Sequence, residues 1–201
     1  MAALVATHGL PTTLLANSIA ARGQDVFVSL ARSVAYQQLS TKAANTIWAR
    51  VVDALGGEAT LTPAAVLRTP AETLRAAGLS GRKVEYLHGL ANAFAEGRMS
   101  GERLAQLSDA EAEAALTQLR GFGAWSAHMC LIFGYCRADV LPWGDYGVRK
   151  AYRQLYGGGR GAKDLPSRAE LETAAAAWAP NRSLVAWYLW RALDATPAPA
   201  T

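Results

Sequence analysis

Apolar residues recur at intervals of three and four along most of the chain, which is the spacing of one face of an α-helix. This pattern predicts helices over Val26–Leu39, Ala43–Leu55 and Lys83–Ala95. Ser108 and Ser167 are each followed three residues later by a glutamate, and these two capping boxes predict two more helix starts. No alternation of apolar and polar residues is long enough to predict a strand.

Shorter apolar stretches predict the remaining elements. Thr69–Glu72 has the pattern of a third capping box, with proline at the first helical position. Further helices are predicted over Trp125–Phe133, Gly147–Tyr156 and Ser183–Leu193. We therefore expect an all-α protein of about nine or ten helices.

Composition removes several classes of protein. Of the 201 residues, 51% are hydrophobic and 18% are charged, which excludes global disorder. No apolar run approaches the roughly 18–20 residues that span a bilayer, and Met1–Leu10 lacks the pattern of a secretory signal. Two cysteines and three distant histidines predict neither an iron–sulfur cluster nor a zinc site. We expect a cytoplasmic protein without a membrane partner or an organic cofactor.

A short turn between two predicted helices carries the first candidate chemistry. Gly121 and Gly123 lie in the segment 119–127, directly before an apolar helix. The free N–H groups at the start of that helix would suit a phosphate, and glycines permit close approach. This arrangement is a helix–hairpin–helix, which grips a nucleic-acid backbone without reading its sequence. A plain connection between two helices is an equally good interpretation, and the net charge of +4 is only compatible with nucleic acid.

Asp145 follows Gly144 at the start of another predicted helix. The simplest interpretation is an N-cap, in which the carboxylate accepts backbone N–H groups. The same N–H groups would keep the carboxylate ionised, which suits a group that stabilises a cation or orients water. The position alone leaves both interpretations open.

Five stretches together resemble the helix–hairpin–helix/Gly-Pro-Asp DNA glycosylases, and within them the 3-methyladenine DNA glycosylase II family. They occur in the family's order and span most of the chain: residues 36–44, 78–83, 119–127, 142–149, and 178–183 together with 187–190. The resemblance implies a two-lobed helical fold with a cleft between the lobes. It also implies an N-terminal segment 1–35 packed on the C-terminal lobe, a central domain 36–144 and a C-terminal lobe 145–201.

The resemblance also implies roles for individual residues. Asp145 matches the catalytic aspartate of the family. The remaining matches form four sets: a phosphate-binding set of Gly121, Gly123 and Ser126; a set of backbone carbonyls at Thr117, Leu119 and Phe122 for a sodium or potassium ion; a wedge at Gln38 or the neighbouring Leu39; and a base pocket of Trp125, Met129, Tyr146 and Trp190.

The implied function is hydrolysis of the N-glycosidic bond of an alkylated base, of the 3-methyladenine or 7-methylguanine type, in double-stranded DNA. Bifunctional relatives carry a lysine at the position of Trp125, so we expect a monofunctional enzyme that makes no Schiff base. We expect a monomer, associated with the nucleoid if the source is bacterial. The alternatives are a non-catalytic helix–hairpin–helix DNA-binding module, and a glycosylase for deaminated or oxidised bases, N1-methyladenine or N3-methylcytosine.

Overall fold

The computed structural model describes residues 2–9, 26–157 and 164–194, and within these ranges the chain forms helices and no strand. The α-helices in chain order are α1 (Ala2–His8), α2 (Val26–Tyr36), α3 (Thr41–Ala54), α4 (Pro63–Arg68), α5 (Ala71–Ala76), α6 (Gly81–Ala95), α7 (Gly101–Gln106), α8 (Asp109–Thr117), α9 (Ala124–Met129), α10 (Tyr146–Tyr156), α11 (Arg168–Ala175) and α12 (Arg182–Asp194). The predicted all-α class is confirmed. None of these helices is both long and apolar enough to cross a membrane.

The described residues divide into two compact units. The central unit contains residues 26–130, and the terminal unit contains residues 2–9, 131–157 and 164–194. The sequence analysis places domain limits at residues 36 and 145. In the structure α2 lies in the central unit, because it packs against α3 and α6. The segment 131–144 belongs to the terminal unit.

The central unit is built around α6, which packs against α2, α4 and α5. Phe27 of α2 is fully buried and meets Phe94 of α6 edge to face, with ring centroids 5.3 Å apart. Leu87 and Leu90 of α6 are also buried, as their helical spacing requires. This packing holds α6 between the loop after α2 and the turn after α8, which is where the candidate DNA-binding residues lie.

The core of the terminal unit lies between α10 and α12, with α1 also packed on α12. Val148 and Ala151 of α10 are fully buried against Ala186 and Leu189 of α12. Elsewhere on α12, the Tyr188 hydroxyl donates a hydrogen bond of 2.9 Å to the Gly9 carbonyl. The two elements that carry Asp145 and Trp190 are therefore fixed to each other by a continuous apolar contact.

Two of the three predicted capping boxes are present. Ser108 and Ser167 each accept the backbone N–H of the glutamate three residues later, whose carboxylate accepts the serine N–H in return. The third prediction is wrong. Pro70 occupies the N-cap position of α5 without a side-chain cap, while the Thr69 hydroxyl donates back to the Ala65 carbonyl and closes the end of α4.

Candidate active site and DNA-binding elements

Asp145 is the N-cap of α10, as its position in the sequence suggests. Its Oδ1 atom accepts the backbone N–H of Val148 at 2.8 Å, which satisfies one of the donors left over at the helix start. The same Oδ1 accepts the indole N–H of Trp190 at 2.8 Å, across 45 residues of sequence. The carboxylate is therefore held in one orientation by two donors from different helices, and Asp145 is only partly buried.

Gly147 makes room for this contact. A β-carbon at Gly147 would lie 3.0 Å from Cδ1 of Trp190 and 3.1 Å from Oδ1 of Asp145. To admit a β-carbon, the Trp190 ring or the Asp145 carboxylate would have to shift by a few tenths of an ångström. The glycine after Tyr146 is thus explained by the packing of Trp190 against the first turn of α10.

An aromatic pair stands beside the carboxylate. Phe133 stacks on Trp190 with ring centroids 5.7 Å apart and an interplanar angle of 25°. Phe133 lies in a π-helical turn, Cys130–Gly134, that continues α9 where the sequence predicts a regular helix to Phe133. The side chain is exposed, and so is that of Tyr146 beside Asp145. Phe133 is not among the predicted site residues, because nothing in the sequence links it to Trp190.

Trp143, which directly precedes Gly144 and Asp145, has a packing role. It lies against the core of the terminal unit, and the Arg168 guanidinium lies 4.4 Å from the centre of its ring. The large side chain at this position therefore contributes to the core.

Asp139 and Arg182 anchor the loop that leads to Asp145. The Arg182 guanidinium donates two hydrogen bonds to the Asp139 carboxylate, from Nε at 2.7 Å and from Nη2 at 2.6 Å. These bonds hold the pKa of Asp139 below its ordinary value of 3.8. Ser183 extends the anchor, since its hydroxyl donates to the Arg137 carbonyl at 2.6 Å and accepts the Val140 N–H at 3.0 Å. The loop is thus tied to the start of α12, the helix that carries Trp190.

In the central unit, the predicted hairpin joins α8 to α9 through residues 118–123. The two glycines of its turn have different surroundings. Gly121 has φ +91°, and a β-carbon there would lie 2.3 Å from the ring of Tyr86. Gly123 has φ −101° and is exposed, and a β-carbon there would meet no atom of the surrounding structure within 4 Å. Of the two, Gly123 is therefore the glycine that the packing of the protein itself does not explain.

The start of α9 follows directly after the hairpin turn. The first intrahelical hydrogen bond runs from the Ala127 N–H to the Gly123 carbonyl, so the N–H groups before it point away from the helix. Ser126 is buried, whereas Trp125 is 40% exposed. Met129 lies one helical turn after Trp125 and is half-buried.

The predicted cation site consists of carbonyls at the end of α8 and in the turn. Thr117 is the last residue of α8, and the Leu119 carbonyl accepts a hydrogen bond from the Phe122 N–H at 3.0 Å. A carbonyl oxygen has two lone pairs, so the Leu119 carbonyl keeps one of them besides this hydrogen bond. Among the described residues, no group of three or more histidine, cysteine, aspartate or glutamate side chains could hold a metal.

The predicted wedge lies on the loop between α2 and α3. Gln38 has φ +56°, a left-handed conformation that is uncommon for a residue other than glycine, and its side chain is exposed. Leu39 is 39% exposed. Gln38 lines the same groove of the central unit as Gly121, Gly123 and Trp125. The structure thus brings together the wedge and the hairpin, while Asp145, Tyr146 and Trp190 are together in the terminal unit.

Comparison with known proteins places this arrangement in a family. Residues 31–180 match the family model of the HhH-GPD superfamily base excision DNA repair proteins. The chain belongs to the HhH-GPD superfamily. The resemblance drawn from the sequence is therefore confirmed.

Relatives in the HhH-GPD superfamily extend along most of the chain. DNA-3-methyladenine glycosylase 1 of Schizosaccharomyces pombe is 34% identical over 169 residues, which are 84% of this chain and 72% of that protein. A solved structure of S. pombe 3-methyladenine DNA glycosylase in complex with abasic DNA matches with a TM-score of 0.74, at 34% identity, over 84% of this chain and 80% of that one. A DNA-3-methyladenine glycosidase structure from Bacillus halodurans matches with a TM-score of 0.76, at 33% identity, over 96% and 88% of the two chains.

Proposed function

We propose that this protein is a monofunctional DNA glycosylase that hydrolyses the N-glycosidic bond of alkylated bases in duplex DNA. The observation that carries the proposal is Asp145, an ionisable carboxylate fixed by Val148 and Trp190 at the position that matches the family's catalytic aspartate. The names of its relatives, which are DNA-3-methyladenine glycosylases, support the substrate class. With this function, the protein is a hydrolytic enzyme of base excision repair.

Asp145 would act mainly through its charge. As the glycosidic bond breaks, positive charge develops on the sugar, and a nearby carboxylate stabilises it. A unit pair at ~4 Å is worth about 4 kcal/mol at an effective dielectric of about 20, which corresponds to several decades of rate. Water then attacks the sugar, oriented or deprotonated by the same carboxylate. A base such as N3-methyladenine is already cationic and leaves readily, so little general-acid assistance is needed.

The aromatic residues would supply selectivity. A flipped cationic base is attracted to the electron-rich face of an indole more strongly than a neutral base is. Trp190 lies beside the carboxylate and is braced by Phe133, and Trp125 and Tyr146 present exposed aromatic surface. Met129 lies one helical turn after Trp125, on the same helical face of the central unit.

The hairpin would hold the DNA backbone without reading its sequence. Backbone N–H groups at Gly121, Gly123 and Ser126 would contact a phosphate, and the exposed, open position of Gly123 allows that approach. The carbonyls at the end of α8 and in the turn would hold the cation, whose positive charge would attract the phosphate. Gln38, or Leu39 beside it, would fill the space left by the flipped base.

Base release from single-lesion duplexes tests the proposal. We expect the protein to release N3-methyladenine and N7-methylguanine over many turnovers, without cutting the strand. Borohydride should trap no covalent complex, because Trp125 stands where bifunctional relatives carry a lysine. Tight binding without any base release would favour a DNA-binding module instead. Release confined to deaminated or oxidised bases, or to N1-methyladenine and N3-methylcytosine, would move the substrate to another class.

A further inference from the structure

Three elements of the central unit are connected to one another by Gln37, Lys83 and Tyr86. We call this set of residues the joint, and the proposed chemistry does not use them. The elements are the wedge loop (residues 37–40), the hairpin turn (residues 118–123) and the first turns of α6. Lys83 of α6 connects to the wedge loop, Tyr86 of α6 connects to the hairpin, and Gln37 connects the wedge loop to the hairpin.

Lys83 binds the end of α2 from the side of α6. Its Nζ atom donates hydrogen bonds of 2.8 Å to the carbonyls of Ala35 and Gln37, which flank the last residue of α2. An ammonium at this place satisfies carbonyls that have no partner within the helix. Burial lowers the pKa of Lys83, which agrees with a lysine that is directed into the protein. The Ser80 cap, which accepts the Lys83 N–H, fixes the turn that presents the side chain.

Gln37 and Tyr86 complete the joint. The Gln37 side-chain amide donates to the Gly121 carbonyl at 2.8 Å, across 84 residues of sequence. The ring of Tyr86, one turn after Lys83 on the same face of α6, lies directly against Gly121. The wedge loop and the hairpin are therefore each held to α6 and also to each other.

The wedge residue next to this joint is in an uncommon conformation. Gln38 follows Gln37 directly and has φ +56°. A left-handed residue other than glycine persists only where its surroundings enforce it. The two bonds of Gln37, from Lys83 to its carbonyl and from its side-chain amide to Gly121, supply that enforcement.

We propose that Lys83 and Gln37 are positioning residues for base flipping, which hold the Gln38 wedge in register with the phosphate-binding hairpin. Lys83 thus acts through hydrogen bonds to Ala35 and Gln37 inside the protein, and not as a phosphate ligand. The inference rests on the proposed function, since it concerns the flipping step that precedes base release.

A ratio of two rates tests this inference. Single-turnover release of N7-methylguanine is measured from a duplex in which the lesion is paired and from one of equal length in which it is mispaired. Both duplexes carry the same number of phosphates, so a general loss of electrostatic attraction cancels in the ratio. We expect Lys83→Gln to raise the mispaired-to-paired ratio about tenfold, equivalent to about 1.4 kcal/mol, because flipping a paired base depends most on the wedge.

Arg82→Gln is the matched control. Arg82 is the exposed neighbour of Lys83 on the same groove, and its replacement removes the same charge. We expect it to weaken duplex binding without changing the ratio. The double variant Lys83→Gln/Gln38→Ala should show the ratio of Gln38→Ala alone, because Lys83 acts through the wedge.

Three results would overturn the inference: an unchanged ratio in Lys83→Gln, an equal change in Arg82→Gln, or additive changes in the double variant. If Lys83→Gln does not fold, Gln37→Met carries the test, since it removes only the bond to Gly121, and an unchanged ratio in it again refutes the inference. Failure of the parent protein to release any base would instead refute the proposed function.

Discussion

Replacing Asp145 by asparagine separates the charge of this residue from its structural role. The amide oxygen of asparagine can still accept the Val148 N–H and the Trp190 indole N–H, both of which end on Oδ1 in the parent. Asparagine is also as good an N-cap as aspartate. The substitution therefore keeps the start of α10 and the position of Trp190, and removes one negative charge.

The expected loss of activity follows from that charge. At ~4 Å and an effective dielectric of about 20, the carboxylate contributes about 4 kcal/mol to a developing cation, or close to three decades of rate. We expect base release to fall by at least about two orders of magnitude, allowing for the part of this energy that an amide dipole retains. Binding to an undamaged duplex should be unchanged, because the hairpin is intact.

The assay is single-turnover release of N7-methylguanine, with the melting temperature recorded in parallel. Asp145→Ala is the comparison variant, since it loses both the charge and the cap. We expect the alanine variant to be at least as inactive as the asparagine variant, and only the alanine variant to lose about 1 kcal/mol of folding free energy. Release by the asparagine variant within tenfold of the parent would refute the electrostatic role of Asp145.

Three other substitutions give distinct expected outcomes. Gln38→Ala should reduce release from paired lesions more than from mispaired ones; equal losses would transfer the wedge role to its neighbour on the loop. Gly123→Ala should weaken binding to duplexes of every sequence with little change in melting temperature, and unaltered binding would mean that the hairpin only connects two helices. Gly121→Ala should instead lower the melting temperature strongly, because its β-carbon would clash with the Tyr86 ring. Asp139→Asn should lower the free energy of unfolding at pH 7, because the pKa of the Asp139 carboxyl is depressed in the folded state. The stability difference between parent and variant should vanish as pH falls through the folded-state pKa. If melting experiments show a difference that does not depend on pH, the charged pair with Arg182 does not stabilise the protein.

The sequence predicted helices well where caps and periodicity agreed. Ser108 and Ser167 fixed the starts of α8 and α11, because a capping box is a local interaction that needs only four residues. The helices at 63–68 and 101–106 were not predicted, since six residues are too few to show a helical period. At residue 69 the local pattern gave the wrong result because the preceding helix used the threonine hydroxyl.

The site was predicted in part for the same physical reason. The N-cap position of Asp145 is local and could be inferred from Gly144 and the helix that follows. The partners that orient the site are distant in sequence: Trp190 is 45 residues from Asp145, and Gly121 is 84 residues from Gln37. Such contacts depend on helix packing, which a single sequence does not specify. The family resemblance assigned roles to positions without describing these bonds.

The unequal surroundings of the two hairpin glycines bear on how related genomes are searched. The first glycine of a Gly-x-Gly turn like this one is required by the ring packed against it, so its presence reports that a chain folds in this way. The second has open space around it, so its retention among homologues would indicate contact with a binding partner. A homologue that keeps Gly121 and replaces Gly123 would then be a candidate for a protein that has the same fold and no longer binds DNA.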